Sequence, residues 1–252
     1  PRLFQGPFGH PNALGQFALF LSFFPLAVLA LPRTGRRMRL PAWAALVATL
    51  HLLVVTGARS TWLALAAGAL AYAAWPWLAR SRIRYRAAFV AWTAGVLALT
   101  WLYLVAPEHD WGWRLQEVVR SVTGQNLFSG RHLFWDDLQA AITTRPWLGH
   151  GAGATAETFT GRGWSAHNLY LQTLLQTGVV GLVALTVLLG GIWSQLRAGR
   201  GRPLVRLAAA FLLGVMVHQV FEVSLTQNNL ATTVPVWLIL AIGLGHARSS
   251  RT

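Results

Sequence analysis

Residues 168–193 read NLYLQTLLQTGVVGLVALTVLLGGIW, a run without one Asp, Glu, Lys or Arg. A helix rises about 1.5 Å per residue and needs about 20 mostly apolar residues to cross ~30 Å of hydrocarbon. This run is long enough, and its lack of charge suits lipid better than an ordinary buried core. Working outward, apolar runs at 13–31, 42–57, 61–78, 87–106, 204–223 and 229–245 qualify or nearly so. Hydrophobic residues make up 54% of the 252 positions and charged residues only 11%, with a mean hydropathy of +0.46, well outside soluble-domain composition. The spans recur along the whole chain, which excludes a lone cleavable signal peptide. The fold class that follows is all-α: one polytopic transmembrane helical bundle over residues 1–252, with about seven spans.

The net charge of +14 would suggest nucleic acid in a soluble protein, but its distribution argues for topology instead. Every basic residue is arginine, and most fall in four short connections: Arg33, Arg36, Arg37 and Arg39; Arg80, Arg82, Arg84 and Arg86; Arg197, Arg200, Arg202 and Arg206; and Arg248 with Arg251. No acid accompanies them, which is the positive-inside pattern, so these connections are expected in the cytoplasm. They alternate correctly with seven spans. Parity then places residues 8–12, the 57–60 turn, the long segment 107–167 and residues 224–228 on the periplasmic face. Six of the seven acids (Glu108, Asp110, Glu117, Asp136, Asp137, Glu157) lie in that long segment, and Glu222 lies close to the same face. Zero cysteines exclude disulfides and thiolate metal sites.

The chemistry is expected in the periplasmic loop 107–167. Leu133, Phe134, Leu138, Ala141 and Ile142 recur near helical spacing, which predicts an amphipathic helix over 131–144, lying on the membrane surface or against the bundle and ended by Pro146. Gly149, Gly151 and Gly153 read as a flexible turn, because no strand precedes them as a dinucleotide motif requires. Trp101, Tyr103, Trp164 and Tyr170, near span ends, read as an interfacial belt.

Three side chains stand out. Arg59, in Gly57-Ala58-Arg59-Ser60 between two spans, either snorkels to lipid phosphates or clamps a phosphate or pyrophosphate. Arg131 either pairs with Asp136 or Asp137 a turn later or binds an anionic ligand. His167 stands where the polar loop meets the apolar run, and histidine, titrating near ~6.5 in its ordinary setting, is suited to act as a base at neutral pH. Asn168, Asn12 and Glu222 are possible lining residues at the same face, although turn and capping roles also suit the asparagines.

At these residues the chain resembles a known family. His167-Asn168, nine residues, then Gly178-x-x-Gly181 resembles the histidine motif of the O-antigen ligase and O-antigen polymerase family of bacterial membrane glycosyltransferases. Ser129-Gly130-Arg131 with Trp135, Arg145-Pro146-Trp147-Leu148-Gly149-His150-Gly151, Gly9-His10-Pro11-Asn12 and Gly57-Ala58-Arg59-Ser60 are also similar to that family, so the likeness runs along essentially the whole chain. The resemblance implies transfer of a glycan from an undecaprenyl pyrophosphate carrier to an acceptor hydroxyl on lipid A-core, another glycan or a protein. It implies His167 as general base, Arg59 and Arg131 as pyrophosphate binders, and neither metal nor cofactor. Direct displacement predicts inversion at the anomeric carbon. The expected place is the bacterial inner membrane, with membrane lipids as surroundings, the active site on the periplasmic face and no nucleic-acid partner. Members usually carry more spans than seven, and this chain opens at Pro1 after no Met, so it is expected to be the C-terminal part of such a protein.

Two other classes compete. A transporter or lipid-linked glycan flippase is suggested by His51 and His218 within spans, where ionisable groups mark ion paths, but no inverted repeat is evident. A metal hydrolase would draw on His109, His132, His150 and His167, which lack the i, i+4 pairing of helical ligands.

Overall fold

The computed structural model describes residues 4–161, 165–227 and 230–249, and among these it is helical without a strand. Trp164, Asn228, Arg251 and Asn229, where the last expected span begins, fall outside them. The helices are α1 (Pro11–Leu21), α2 (Phe23–Ala30), α3 (Arg36–Thr56), α4 (Arg59–Leu78), α5 (Arg82–Val105), α6 (Asp110–Thr123), α7 (His132–Thr144), α8 (Ala156–Thr160), α9 (Leu169–Leu196), α10 (Pro203–His218) and α11 (Leu230–Arg248). Five stretches are long and apolar enough to cross a membrane: Pro11–Ala30, Arg36–Thr56, Arg82–Glu108, Leu169–Gly199 and Leu230–Arg248. The other two expected spans overlap α4, whose tryptophans, tyrosine and proline dilute its hydropathy, and α10, which is apolar but only 16 residues long and ends at His218, so that residues 219–223 of the span expected over 204–223 are not helical.

By contact the chain divides into two units. The first comprises Pro1–Val90, Leu188–His218 and Ser224–Thr252. Its tightest crossing joins α4 and α10 through small residues: a Cβ on Gly214 would lie 2.6 Å from the Ala64 carbonyl oxygen, and one on Gly68 3.3 Å from that of Ala210. Close backbone approach of this kind is how helices gain packing in lipid, where burial of apolar surface drives little. Tyr85 stacks on Trp193 at 4.2 Å, its hydroxyl donating to the Trp193 carbonyl while Trp193 Nε1 donates to the Tyr85 carbonyl. At the start of the unit, α1 lies against the α3–α4 turn, since a Cβ on Gly15 would meet Ala58 Cβ at 2.6 Å.

The second unit comprises Ala91–Val187 and Gln219–Val223. The helix expected over 131–144 forms as α7, with Arg131 as its N-cap residue. Its apolar face is buried in protein: Phe134, Trp135 and Leu138 are each at most 2% exposed. The strongly amphipathic surface helix is α6 instead, which the spacing analysis missed. Tyr103 and Tyr170 are buried too, which corrects their place in an interfacial belt, while Trp101 is 63% exposed. Tyr103 sits in a cluster of Phe128, Trp135 and Phe221 rings and its hydroxyl donates to the Leu127 carbonyl. A tyrosine near a span end faces lipid only when nothing packs over it, and here the loop does.

Helix α9 is broken at Gly178, which adopts φ +63°, ψ −162°. A break removes the bonds that the Val179 and Val180 N–H groups would make to the Leu175 and Gln176 carbonyls one turn earlier. Segment 146–151 replaces both. Val179 N donates to the Pro146 carbonyl at 2.8 Å and Val180 N to that of Trp147 at 3.2 Å. The Leu175 carbonyl accepts from His150 N at 2.8 Å and that of Gln176 from Gly151 N at 2.9 Å. The glycine turn of the sequence is therefore a staple across a helix break, and backbone polar groups left open by the break are satisfied, as an apolar setting demands.

Candidate functional site

The residues that gather in the second unit are Arg131, His167, Asn168 and Glu222. The chain enters α7 through a tight turn, with Ser129 at φ +51° and Gly130 at φ +77°, which brings Arg131 to the N-cap position with its side chain making no cap bond. The Arg131 side chain is 10% exposed; its Nη2 donates to the Phe221 carbonyl at 2.8 Å and reaches Glu222 Oε1 at 3.4 Å. The partner is thus 91 positions away, and Asp136 and Asp137, the expected ones, are exposed. Their helix turns them away because its inward face is the Phe134–Trp135–Leu138 side.

His167 occupies the left-handed region at φ +47°. Together with Ser129 it is one of two non-glycine residues of positive φ among the described residues, and both lie in the motifs singled out above. Such a conformation costs of order 1–3 kcal/mol and persists only where neighbours over-determine it. The neighbours do so on both sides. Trp135 Nε1 donates to the Ala166 carbonyl at 3.0 Å. On the other side Asn168, wholly buried, accepts from the Tyr170 and Leu171 N–H groups at 2.9 and 3.0 Å, and its Nδ2 donates to the Val220 carbonyl at 2.9 Å. Asn168 is therefore the N-cap of α9, and its side chain, a possible lining residue by sequence, is committed to holding His167 in place.

Glu222 closes the group. Its Oε2 lies 3.2 Å from His167 Nδ1, its other oxygen faces Arg131, and its side chain is 8% exposed against 29% for the imidazole. Residues 219–222 serve the site one after another. The Gln219 carbonyl accepts from Leu169 N at 2.9 Å, those of Val220 and Phe221 accept from Asn168 and Arg131, and the Glu222 carboxylate spans Arg131 and His167. A buried carboxylate is tolerable because the guanidinium compensates it. This organising role of Glu222 went beyond the sequence analysis, which offered it only as lining. The available signal was that Glu222 alone of the seven acids lies outside 107–167, at the end of an apolar span.

Both motif glycines also have a physical account. A Cβ on Gly178 would overlap the Trp147 backbone, and one on Gly181 would overlap the Thr177 side chain that the break brings over it. Gly149 is the matching surface, since a Cβ there would lie 2.5 Å from the Thr177 nitrogen. The His-Asn…Gly-x-x-Gly pattern thus couples a strained histidine to the stapled break one helical segment away.

Arg59 and Asn12 belong to the other unit. Arg59 is the first residue of α4 and half-buried, inside the helix that was expected to begin two residues later. Asn12 lies in the first turn of α1, its N–H donating to His10 Nδ1 at 3.1 Å. The remaining histidines do other work. His150 holds the staple, its Nε2 2.8 Å from the Ala141 carbonyl oxygen and its ring on Phe159. His132 packs between Trp113 and Phe128. Among the described residues no group of three or more His, Cys, Asp or Glu is close enough to hold a metal ion. His51 is on the exposed side of α3 and His218 is fully buried at the end of α10, its ring 5.9 Å from Phe20.

A family model described as O-antigen ligase matches residues 44–186, more than half of the chain. The matched stretch includes Arg59, Arg131, His167, Asn168 and both motif glycines, while Asn12 and Glu222 lie outside it. No curated protein matches the chain significantly.

Proposed function

The chain belongs to the O-antigen ligase family, and on that premise we propose that it is an integral membrane glycosyltransferase that moves a glycan from an undecaprenyl pyrophosphate carrier to an acceptor hydroxyl. The carrying observation is the Glu222 carboxylate that joins His167 Nδ1 to Arg131. A carboxylate at Nδ1 holds the imidazole proton on that side, so Nε2 presents its lone pair outward as the base; this is the orienting logic of nucleophile–base–acid triads. The acceptor oxygen attacks the anomeric carbon as His167 Nε2 takes its proton. The bond from that carbon to the pyrophosphate oxygen breaks, and the carrier leaves as an anion. Pyrophosphate is a good leaving group, so it needs charge stabilisation more than an acid, and Arg131 is the cation of this unit that we assign to it. Backside attack inverts the anomeric configuration, and no step requires a metal.

Membrane arithmetic supports the location. Counting about 20 residues back from the Trp193–Leu196 end of α9, beside Arg197 and Arg200, brings the edge of the hydrocarbon to within about a turn of Gly178. The break then falls where the helix leaves the hydrocarbon, and His167 stands about 10–15 Å farther, at the level of lipid headgroups and their pyrophosphate analogues. With the arginine connections in the cytoplasm, that face is periplasmic and the membrane is the inner one.

The decisive experiment is transfer in proteoliposomes from an undecaprenyl pyrophosphate-linked glycan, with lipid A-core, carrier-linked glycan and protein offered in turn as acceptors. His167→Ala is expected to lower the rate by about 10²–10⁴-fold, the usual worth of a general base. Wild-type activity in that variant would remove His167 from the role. Anomeric retention by NMR would exclude direct displacement, and loss of activity in EDTA would exclude a metal-independent reaction.

A further inference from the structure

We propose that α6 is a membrane-surface helix whose apolar stripe lies in the lipid of the face that carries the site. Trp111, Leu115, Val118 and Val122 recur at i, i+4, i+7 and i+11, which lines them along one side of the helix. All four are exposed, at 42, 45, 60 and 80%. The helix contacts protein through its other side. Trp113 Nε1 donates to the Pro107 carbonyl at 2.9 Å, and its ring meets Phe128 at 5.4 Å and His132 at 5.5 Å. Gln116 Oε1 accepts from Phe128 N at 3.4 Å. An ordinary surface helix buries its apolar stripe and exposes its polar side; α6 exposes its apolar stripe as well as Glu117, Arg120 and Ser121, so the stripe needs a non-aqueous neighbour.

The position of α6 identifies that neighbour as lipid. Helix α5 lies in one of the stretches long and apolar enough to cross a membrane, and about 20 residues from Ala87 reach Ala106. There the chain turns sharply: His109 N bonds the Ala106 carbonyl, and Gly112 lies so close to the same carbonyl that a Cβ would overlap it. The first turn of α6 therefore starts at the depth where α5 leaves the hydrocarbon. The exposed Trp101 and Leu102 continue the apolar surface of α5 toward it. Arg114 flanks the stripe, where a guanidinium reaches lipid phosphate while its stem stays on the apolar side. Because the inner side of α6 grips Phe128 and His132, the residues on either side of the Ser129–Arg131 turn, lipid contact along α6 sets the height of Arg131 above the membrane. The proposal rests on the membrane character of the chain and not on its glycosyl transfer.

These 252 residues hold no cysteine, so single-cysteine variants of this chain report without background from it. Val118→Cys, Val122→Cys, Glu117→Cys and Ser121→Cys would be nitroxide-labelled in proteoliposomes, and collision with oxygen compared with collision with a soluble nickel chelate. Lipid contact predicts that positions 118 and 122 favour oxygen and that 117 and 121 favour nickel. A bimane on Val122→Cys, quenched by dibrominated lipid and spared by iodide, checks the result with a second label. Nickel access at 118 and 122 would place the stripe in water and overturn the proposal. Shielding from both reagents there would assign the stripe to a protein partner and overturn it equally.

Discussion

Replacing Gly178 with alanine tests the stapled break directly. The backbone at φ +63°, ψ −162° is open to glycine almost alone, and forcing another residue into it costs of order 1–3 kcal/mol. The added Cβ would also overlap the Trp147 backbone, so the loop must withdraw or the helix must straighten. Withdrawal loses four hydrogen bonds, those from Val179, Val180, His150 and Gly151. Straightening restores two of them within the helix and strands the loop. At about 0.5–1.5 kcal/mol per net bond lost, withdrawal, which keeps the strain, costs about 3–9 kcal/mol, and straightening, which relieves it, about 1–3 kcal/mol, so the cheaper route sets an expected loss of about 1–3 kcal/mol. Thermal unfolding in lipid nanodiscs would measure that cost, with Gly191→Ala as control, since a Cβ there meets nothing within 4 Å in the same helix. Hydrogen exchange would locate it at residues 150, 151, 179 and 180. A Gly178→Ala protein that melts with the wild type and keeps those four amides protected would refute the account of the break.

Asn168→Ala removes the cap of α9 and leaves the buried Val220 carbonyl without its donor; the two losses together should lower stability by about 2–4 kcal/mol in the same unfolding assay. Asn168→Ser keeps a cap acceptor and loses the Val220 bond without burying a charge, so it should recover part of the loss. Glu222→Gln keeps the shape of the side chain and removes its charge, and we expect kcat to fall by about 10²-fold or more, with donor KM changed far less, as when a histidine loses its orienting carboxylate. Unchanged kcat would relieve Glu222 of that role. Arg131→Ala removes the guanidinium from that buried carboxylate and should lower stability by up to about 3–5 kcal/mol. Combining Arg131→Met with Glu222→Gln should restore much of that stability without restoring transfer, whereas transfer restored along with it would make the pair purely structural.

Most of the architecture was legible because lipid imposes a simple rule: uncharged runs of sufficient length become helices, and arginines mark one side. That rule located every long helix, and it placed α4 and α10 although the first is diluted by aromatic residues and the second is short. It failed in the loop 107–167, where periodicity in α7 marked a face buried in protein and the periodicity of α6 went unnoticed beneath its charges. Period alone states that a helix has an apolar side; it does not state what lies against that side.

The candidate site divides the same way. His167, Arg131 and the two motif glycines stood out in the linear order because polar and titratable groups are costly beside an apolar span and a Gly-x-x-Gly spacing is visible in one dimension. What joins them was decided only in three dimensions. Glu222 comes to Arg131 and His167 from 91 and 55 positions away, and the staple at Gly178 uses backbone groups that every residue possesses. Side-chain type is written along the chain, but which carbonyl faces which N–H, and which acid neutralises which cation, follows from packing that no local spacing records.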